Sequence, residues 1–229
     1  PGRVALLQGA PLTPGQNGLL QVVLDRPVSV ARGDRIILRD ASAQRTIGGG
    51  VVIDPFAPGR GRARPDRLAA MQALEQPSAR QALDELLALS ASGVALDRFA
   101  RGFNLTPAEA KALWQSAPMR RFGRGADLTG ISDAHYAALV RRIPELLAER
   151  RRQNPQILGP NAQELLRALH PVSSAALLSG AVQQLQAAGT VARTGTLLHL
   201  PGESIKPSPQ DARQWQALQP LFEVAQLTP

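Results

Sequence analysis

The sequence predicts an α+β chain of several domains, in which a partial antiparallel β-barrel is followed by tandem winged-helix domains. Two patterns carry that expectation. Apolar residues run in strand-like stretches over the first 54 positions, and beyond position 64 they recur at helical spacing. The helical part then repeats one order of elements, helices leading to a capped helix and a two-stranded wing, and repetition of this kind marks tandem modules.

In the first segment Leu20, Val22 and Leu24 fall on one face and Leu19 and Val23 on the other, so a strand buried on both sides is expected, ended by Asp25-Arg26-Pro27. After Gly33-Asp34 a second strand runs from Arg35 to Arg39 around Ile36, Ile37 and Leu38. A third is expected from Val51 to Ile53, beyond three glycines. Together these make residues 1–54 the end of a barrel. The stretch 55–64 is rich in Pro, Gly and Arg, the composition of a linker, and a domain boundary belongs there.

Residues 65–131 read as a first winged helix. Pro65 and Asp66 open a helix through Gln76, Pro77 and Ser78 open a second to about Ala91, and Leu96 to Ala100 gives a short third. Thr106-Pro107-Ala108-Glu109 is a capping box: Thr106 accepts from the amide of Glu109, Glu109 reaches back, and Pro107 lacks an amide that had no partner anyway. Met119 to Phe122 and Leu128 to Ile131 then pair across a turn. Residues 132–201 repeat the order, with a long helix capped by Ser132 whose Tyr136, Leu139, Val140, Ile143 and Leu147 form one stripe. Asn161 caps a helix to Leu169, Ser173 or Ser174 caps one from Ala175 to Ala188, and Gly189 is the left-handed stop before a second wing. Residues 202–229 are a linker and the start of a third winged helix, with a helix from Ser208 through Phe222.

The net charge is +8 and rests on Arg, since Lys111 and Lys206 are the two lysines among 229 residues. Arg's planar fork suits phosphate, so a polyanionic partner is favoured, although a general Arg enrichment would give the same charge. Aromatic residues make up 3%, which argues against a sheet that stacks bases. There is no Cys, and His135, His170 and His199 lack zinc-ligand spacing. Neither lysine follows a glycine as a phosphate-cradling loop requires, and the serine-elbow and zincin motifs are absent. No catalytic residue is assigned. Trp114 and Trp215 read as core or interdomain anchors, and His199 as a half-exposed strand residue. The start, Pro-Gly-Arg-Val-Ala-Leu-Leu, is no signal peptide and lacks an initiator Met, so a cytoplasmic fragment without a membrane segment is expected.

The block Gly33-Asp34-Arg35-Ile36-Ile37-Leu38-Arg39-Asp40, with Arg45-Thr46-Ile47-Gly48-Gly49-Gly50-Val51-Val52, closely resembles the end of the third domain of elongation factor Tu-like GTPases. In its Arg-Thr-Ile-Gly-Gly-Gly form, followed by winged helices, it is similar to the bacterial selenocysteine-specific elongation factors, the SelB family. That resemblance implies a preceding GTPase domain and second barrel, and four winged helices of which the last grips the mRNA insertion hairpin. GTP and Mg would belong to the GTPase domain, leaving this fragment with no cofactor and no metal. The implied partners are selenocysteinyl-tRNA, through its T-stem backbone, the ribosome, and the mRNA hairpin through the last winged helix. A monomer is expected.

The candidate tRNA-backbone residues are Arg45, Thr46, Gly48 and Gly49: glycines let a ribose-phosphate chain approach, Thr46 donates a hydroxyl hydrogen bond and Arg45 supplies charge. An alternative stays open, in which the glycines serve a β-bulge and Arg45 pairs with Asp40. A second candidate is the basic wing, Arg120, Arg121 and Arg124. The rival from another class is a DNA-binding winged-helix regulator, with Gln183 and Gln184 reading bases. Against it, the helix 175–188 has no charged residue. A protein-interaction scaffold is the third option.

Overall fold

A computed structural model describes residues 1–9, 11–172, 174–204 and 209–224. The chain divides into two compact units, Pro1–His135 and Tyr136–Pro229.

The first unit opens with strands β1 (Gly2–Leu6), β2 (Leu20–Leu24), β3 (Arg35–Arg39) and β4 (Thr46–Val51). They form two antiparallel ribbons, β1 with β2 and β3 with β4. Two expectations are corrected here. β2 is not buried on both faces: Leu24 is 47% exposed, and Leu7 is the one buried apolar residue among those described before Pro65. The reason is that a ribbon of two strands covers neither of its faces by itself. The last strand also lies earlier than 51–53, because Gly48, Gly49 and Gly50 pair with Leu38, Ile37 and Ile36 inside β4.

Residues 55–64 form no helix or strand. Then follow α1 (Pro65–Leu74), α2 (Ala79–Leu89), β5 (Val94–Ala95), α3 (Leu96–Gly102), α4 (Pro107–Ser116), β6 (Arg120–Phe122) and β7 (Thr129–Ile131). Ser78 caps α2 by accepting from the Gln81 amide, and the Thr106–Glu109 capping box starts α4 as its sequence requires. Leu83 of α2, Leu96 and Phe99 of α3 and Trp114 of α4 meet in one buried cluster. Phe99 stacks on Phe103 at 4.6 Å and meets Trp114 edge-on at 6.0 Å, so Trp114 is a core residue. Each such side chain removed from water contributes roughly 1.5–3 kcal/mol. The wing is a three-stranded sheet of order β5-β7-β6, and β5 is a strand that periodicity could not reveal in two residues.

The helix α5 (Asp133–Gln153) leads into the second unit, with α6 (Ala162–Ala168), α7 (Ala175–Ala187), β8 (Ala192–Thr194) and β9 (Leu197–His199). Tyr136, Leu139, Ile143 and Leu147 are buried as the stripe predicts, while its fifth member, Val140, is only half-buried. Asn161 and Glu164 form a reciprocal capping box at 2.9 and 3.0 Å, Ser174 caps α7, and Gly189 ends it with φ of 66°. Ser173 lies outside the described residues.

The two modules share a detail beyond their element order. In the first, the chain just before α3 pairs with β7, and in the second Asn161, just before α6, bridges Leu197 of β9. Three residues before each of these helices stands a glycine in close approach. A Cβ on Gly93 would lie 2.8 Å from the Gly130 carbonyl oxygen, and one on Gly159 would lie 1.9 Å from that of Leu198. The helix α8 (Pro209–Val224) begins beside the expected start, Ser208 itself lying outside the described residues. Its described side chains, Arg213 to Pro220, are all exposed, and Trp215 at 45% exposure is therefore not a core residue. Among the described residues no helix is long and apolar enough to cross a membrane.

Candidate nucleic-acid interface

The turn between β3 and β4 is organised by Asp40. Its Oδ1 accepts from the Ser42 hydroxyl at 3.0 Å and from the backbone amides of Gln44 at 2.9 Å and Arg45 at 3.3 Å. The Arg45 amide, ahead of the Ser42 hydroxyl and the Gln44 amide, holds the Asp40 carboxyl below its ordinary range. Asp40 thus binds the backbone of Arg45 and not its guanidinium. Arg45 is exposed, and no ion pair or hydrogen bond of its side chain occurs among the described residues.

A bulge is present, but not where glycine would explain it. Leu38 faces Gly48 and Arg39 faces Thr46, so Ile47, at 63% exposure, is the extra residue. The three glycines then differ from one another. A Cβ on Gly49 would come within 3.0 Å of the Ile36 carbonyl oxygen, and one on Gly50 would make ordinary contact with Ile36 at 3.8 Å. At Gly48 a Cβ would meet nothing within 4 Å. Strand pairing and packing therefore explain the glycine at 49 but not at 48, where bare backbone stands open beside Thr46 and the exposed Arg45.

The basic wing is not one surface. Arg120 of β6 donates from Nε to Asp133 Oδ1 at 2.6 Å, and side-chain alternation places Arg121 on the opposite face of the strand. Arg121 and Arg124 are exposed and form no ion pair among the described residues. They are the members of this trio whose charge is left for a partner.

The helices ahead of the two wings have part of their polar side chains engaged within the protein. In α4 the Thr106 hydroxyl and amide donate to Glu109 at 2.7 and 2.8 Å and keep its carboxyl below the usual range, so its negative charge stays two residues from Lys111. In α7 Gln184 Oε1 accepts from the Tyr136 hydroxyl at 3.0 Å, which commits one of the two glutamines. Beside α7 lies a groove of about 420 Å³ walled largely by apolar side chains such as Leu178, Val182 and Leu198, together with Gln183, Gln186 and Arg193.

His199 is 6% exposed, a correction to its expected half-exposure. Its Nδ1 lies 2.9 Å from the Leu200 carbonyl, which can only accept, so Nδ1 carries a proton, and Nε2 pairs with the Thr194 hydroxyl at 3.0 Å. Both nitrogens are satisfied within the wing. Among the described residues no group of three or more His, Cys, Asp or Glu is placed to hold a metal.

Open antiparallel ribbons followed by winged-helix modules define an α+β protein of the barrel-and-winged-helix class. Residues 1–59 match the family model for the β-barrel domain of selenocysteine-specific elongation factor, and residues 145–200 match that for the winged helix of elongation factor SelB. The selenocysteine-specific elongation factor of Escherichia coli (strain K12) is 29% identical over 223 residues, which are 96% of this chain and 34% of that protein. A crystal structure of bacterial selenocysteine-specific elongation factor EF-Sec superposes with a TM-score of 0.56 at 18% identity, covering 97% of this chain and 32% of that one, and shows the same fold. The chain belongs to the SelB family of selenocysteine-specific elongation factors and spans its β-barrel and winged-helix region, about a third of the length of the relatives it matches.

Proposed function

We propose that this chain supplies part of the tRNA-holding surface of a cytoplasmic translational GTPase, together with the arm that carries it toward the mRNA. On this reading the β3–β4 ribbon contacts the backbone of selenocysteinyl-tRNA. Arg45 pairs with a phosphate, the Thr46 hydroxyl donates to a neighbouring oxygen, and Gly48 and Gly49 let the ribose-phosphate chain come close. Arg121 and Arg124 of the first wing offer a second, weaker backbone contact. The modules after position 64 act as a spacer, and recognition of the mRNA hairpin belongs to a winged helix further along the complete protein. GTP and Mg serve the GTPase domain of the complete protein and have no role in the residues of this chain. As domains we take 1–54 as barrel, 55–64 as linker, 65–131 and 132–201 as winged helices, and 202–229 as the approach to a third.

The observation that carries this reading is Gly48: a glycine that its own fold does not require, beside an exposed arginine whose side chain has no partner among the described residues. The rival DNA-binding reading needs a groove-reading helix, and the commitment of Gln184 to Tyr136 weighs against it. Titrating selenocysteinyl-tRNA with the parent chain and with Arg45→Ala tests the proposal. A backbone contact predicts weaker binding by the variant and a salt slope shallower by about 1. Equal affinity and equal slope would dismiss the ribbon as the contact.

A further inference from the structure

We infer that Arg32 and Asp54 are positioning residues that weld the strand segment to the first winged helix, so that residues 55–64 are a docked strap and not a hinge. The inference stands apart from the RNA reading, because it rests on how α1 is gripped.

Asp54 grips the beginning of α1. Its Oδ2 accepts from Arg67 in the first turn at 2.6 Å and lies 3.9 Å from Arg98 of α3, while Oδ1 accepts from the Phe56 amide at 2.8 Å. The Asp54 side chain is 10% exposed and that of Arg67 17%, so this pair is shielded from solvent screening as surface pairs are not. Arg32, from the loop between β2 and β3, grips the other end. Its Nε donates to the Leu74 carbonyl at 3.0 Å and its Nη2 to that of Gln76 at 2.8 Å.

A helix leaves its last carbonyls without partners and carries partial negative charge there, and α1 has no basic residue of its own in its last turn. Arg32 supplies that cation from outside the module. The same guanidinium lies 4.5 Å from the centre of the Phe103 ring, and its backbone amide donates to the Gly102 carbonyl at 3.3 Å, which ties it to the end of α3 as well.

Two grips near opposite ends of a ten-residue helix, at Arg67 and Leu74 and so roughly 10 Å apart along its axis, fix a direction, whereas a covalent link alone fixes only a distance. Between them the strap is held down. Phe56 lies under Arg98 and Arg101 at 5.7 and 5.1 Å, its carbonyl accepts from Arg98, and Gln21 of β2, itself buried, donates to the Pro58 carbonyl at 3.0 Å.

The chain has no cysteine, so two spin labels can be placed without background, at Ala41→Cys in the β3–β4 turn and Gln115→Cys on α4, both exposed. In the 229-residue chain the distance distribution between them should be one narrow peak, and adding Arg32→Ala with Asp54→Ala should spread it while the thermal transition of the modules is retained. A broad distribution in the parent would refute the weld. A peak equally narrow in the double variant would refute the part assigned to Arg32 and Asp54. If the double variant does not fold, Arg32→Gln and Asp54→Asn are measured singly, and the same two outcomes decide.

Discussion

Replacing Gly48 by valine separates what the fold needs from what a partner needs. The residue lies inside β4 opposite Leu38, its backbone is not left-handed, and a Cβ there would meet nothing within 4 Å. A glycine in a strand costs roughly 0.5–1 kcal/mol relative to a residue with a side chain, so Gly48→Val should leave stability unchanged or raise it by about that amount. The effect on RNA has the opposite sign. A branched side chain would hold a ribose-phosphate chain off the ribbon and lengthen the contact made by Arg45. A hydrogen bond to a charged group is worth about 1.5–3 kcal/mol, which corresponds to roughly a 10- to 150-fold loss of affinity. The assay is thermal unfolding alongside fluorescence titration of selenocysteinyl-tRNA at one low salt concentration. Gly49→Val is the contrast, because its Cβ, 3.0 Å from the Ile36 oxygen, must push the strands apart, so stability should fall with affinity. A Gly48→Val protein that is stable and binds tRNA as the parent does would refute the reasoning.

The remaining predictions concern the scaffold. Gly159→Ala places a methyl carbon 1.9 Å from the Leu198 carbonyl oxygen and should cost the second unit about 3 kcal/mol, read as a lowered unfolding midpoint. Leu165→Ala removes a side chain with 0% exposure and should cost about 2–5 kcal/mol in denaturant titration. Asn161→Ala loses the cap of α6 and should cost about 1 kcal/mol, whereas Asn161→Asp should keep most of it. For Asp40 the folded carboxyl titrates below its ordinary value of 3.8, so its hydrogen bonds are fully present above that pH and are lost as pH falls through the lower folded value. The amide resonances of Gln44 and Arg45 should therefore shift with a midpoint below 3.8, and should not do so in Asp40→Asn.

Much of this architecture was legible because the local signals agreed with one another. The Thr106–Glu109 box, the Asn161 cap, the stripe from Tyr136 to Leu147 and the stop at Gly189 each state a helix boundary or a buried face in a few residues. What escaped depended on contacts distant in sequence. Val94–Ala95 is too short for a period and becomes a strand by pairing with β7. The buried state of His199 follows from hydrogen bonds to Thr194 and Leu200 that its own position does not announce. Gly93 and Gly159 stand three residues before α3 and α6, and the carbonyls that require them to be glycine come from β7 and β9, far along the chain. In the candidate interface the glycine triplet was visible, but its three members could be told apart only once the register placed Gly49 against Ile36 and left Gly48 bare. The basic wing looked like one patch because sequence proximity hides strand alternation, which sends Arg121 away from Arg120.

The most direct measurement is a parallel titration of the 229-residue chain with tRNA and with duplex DNA across a range of salt. A ribbon that holds an RNA backbone, carried on modules that do not read grooves, predicts salt-sensitive binding of tRNA that weakens in Arg45→Ala and exceeds binding of any DNA duplex. Tight, sequence-selective binding of duplex DNA, with none of tRNA, would contradict it.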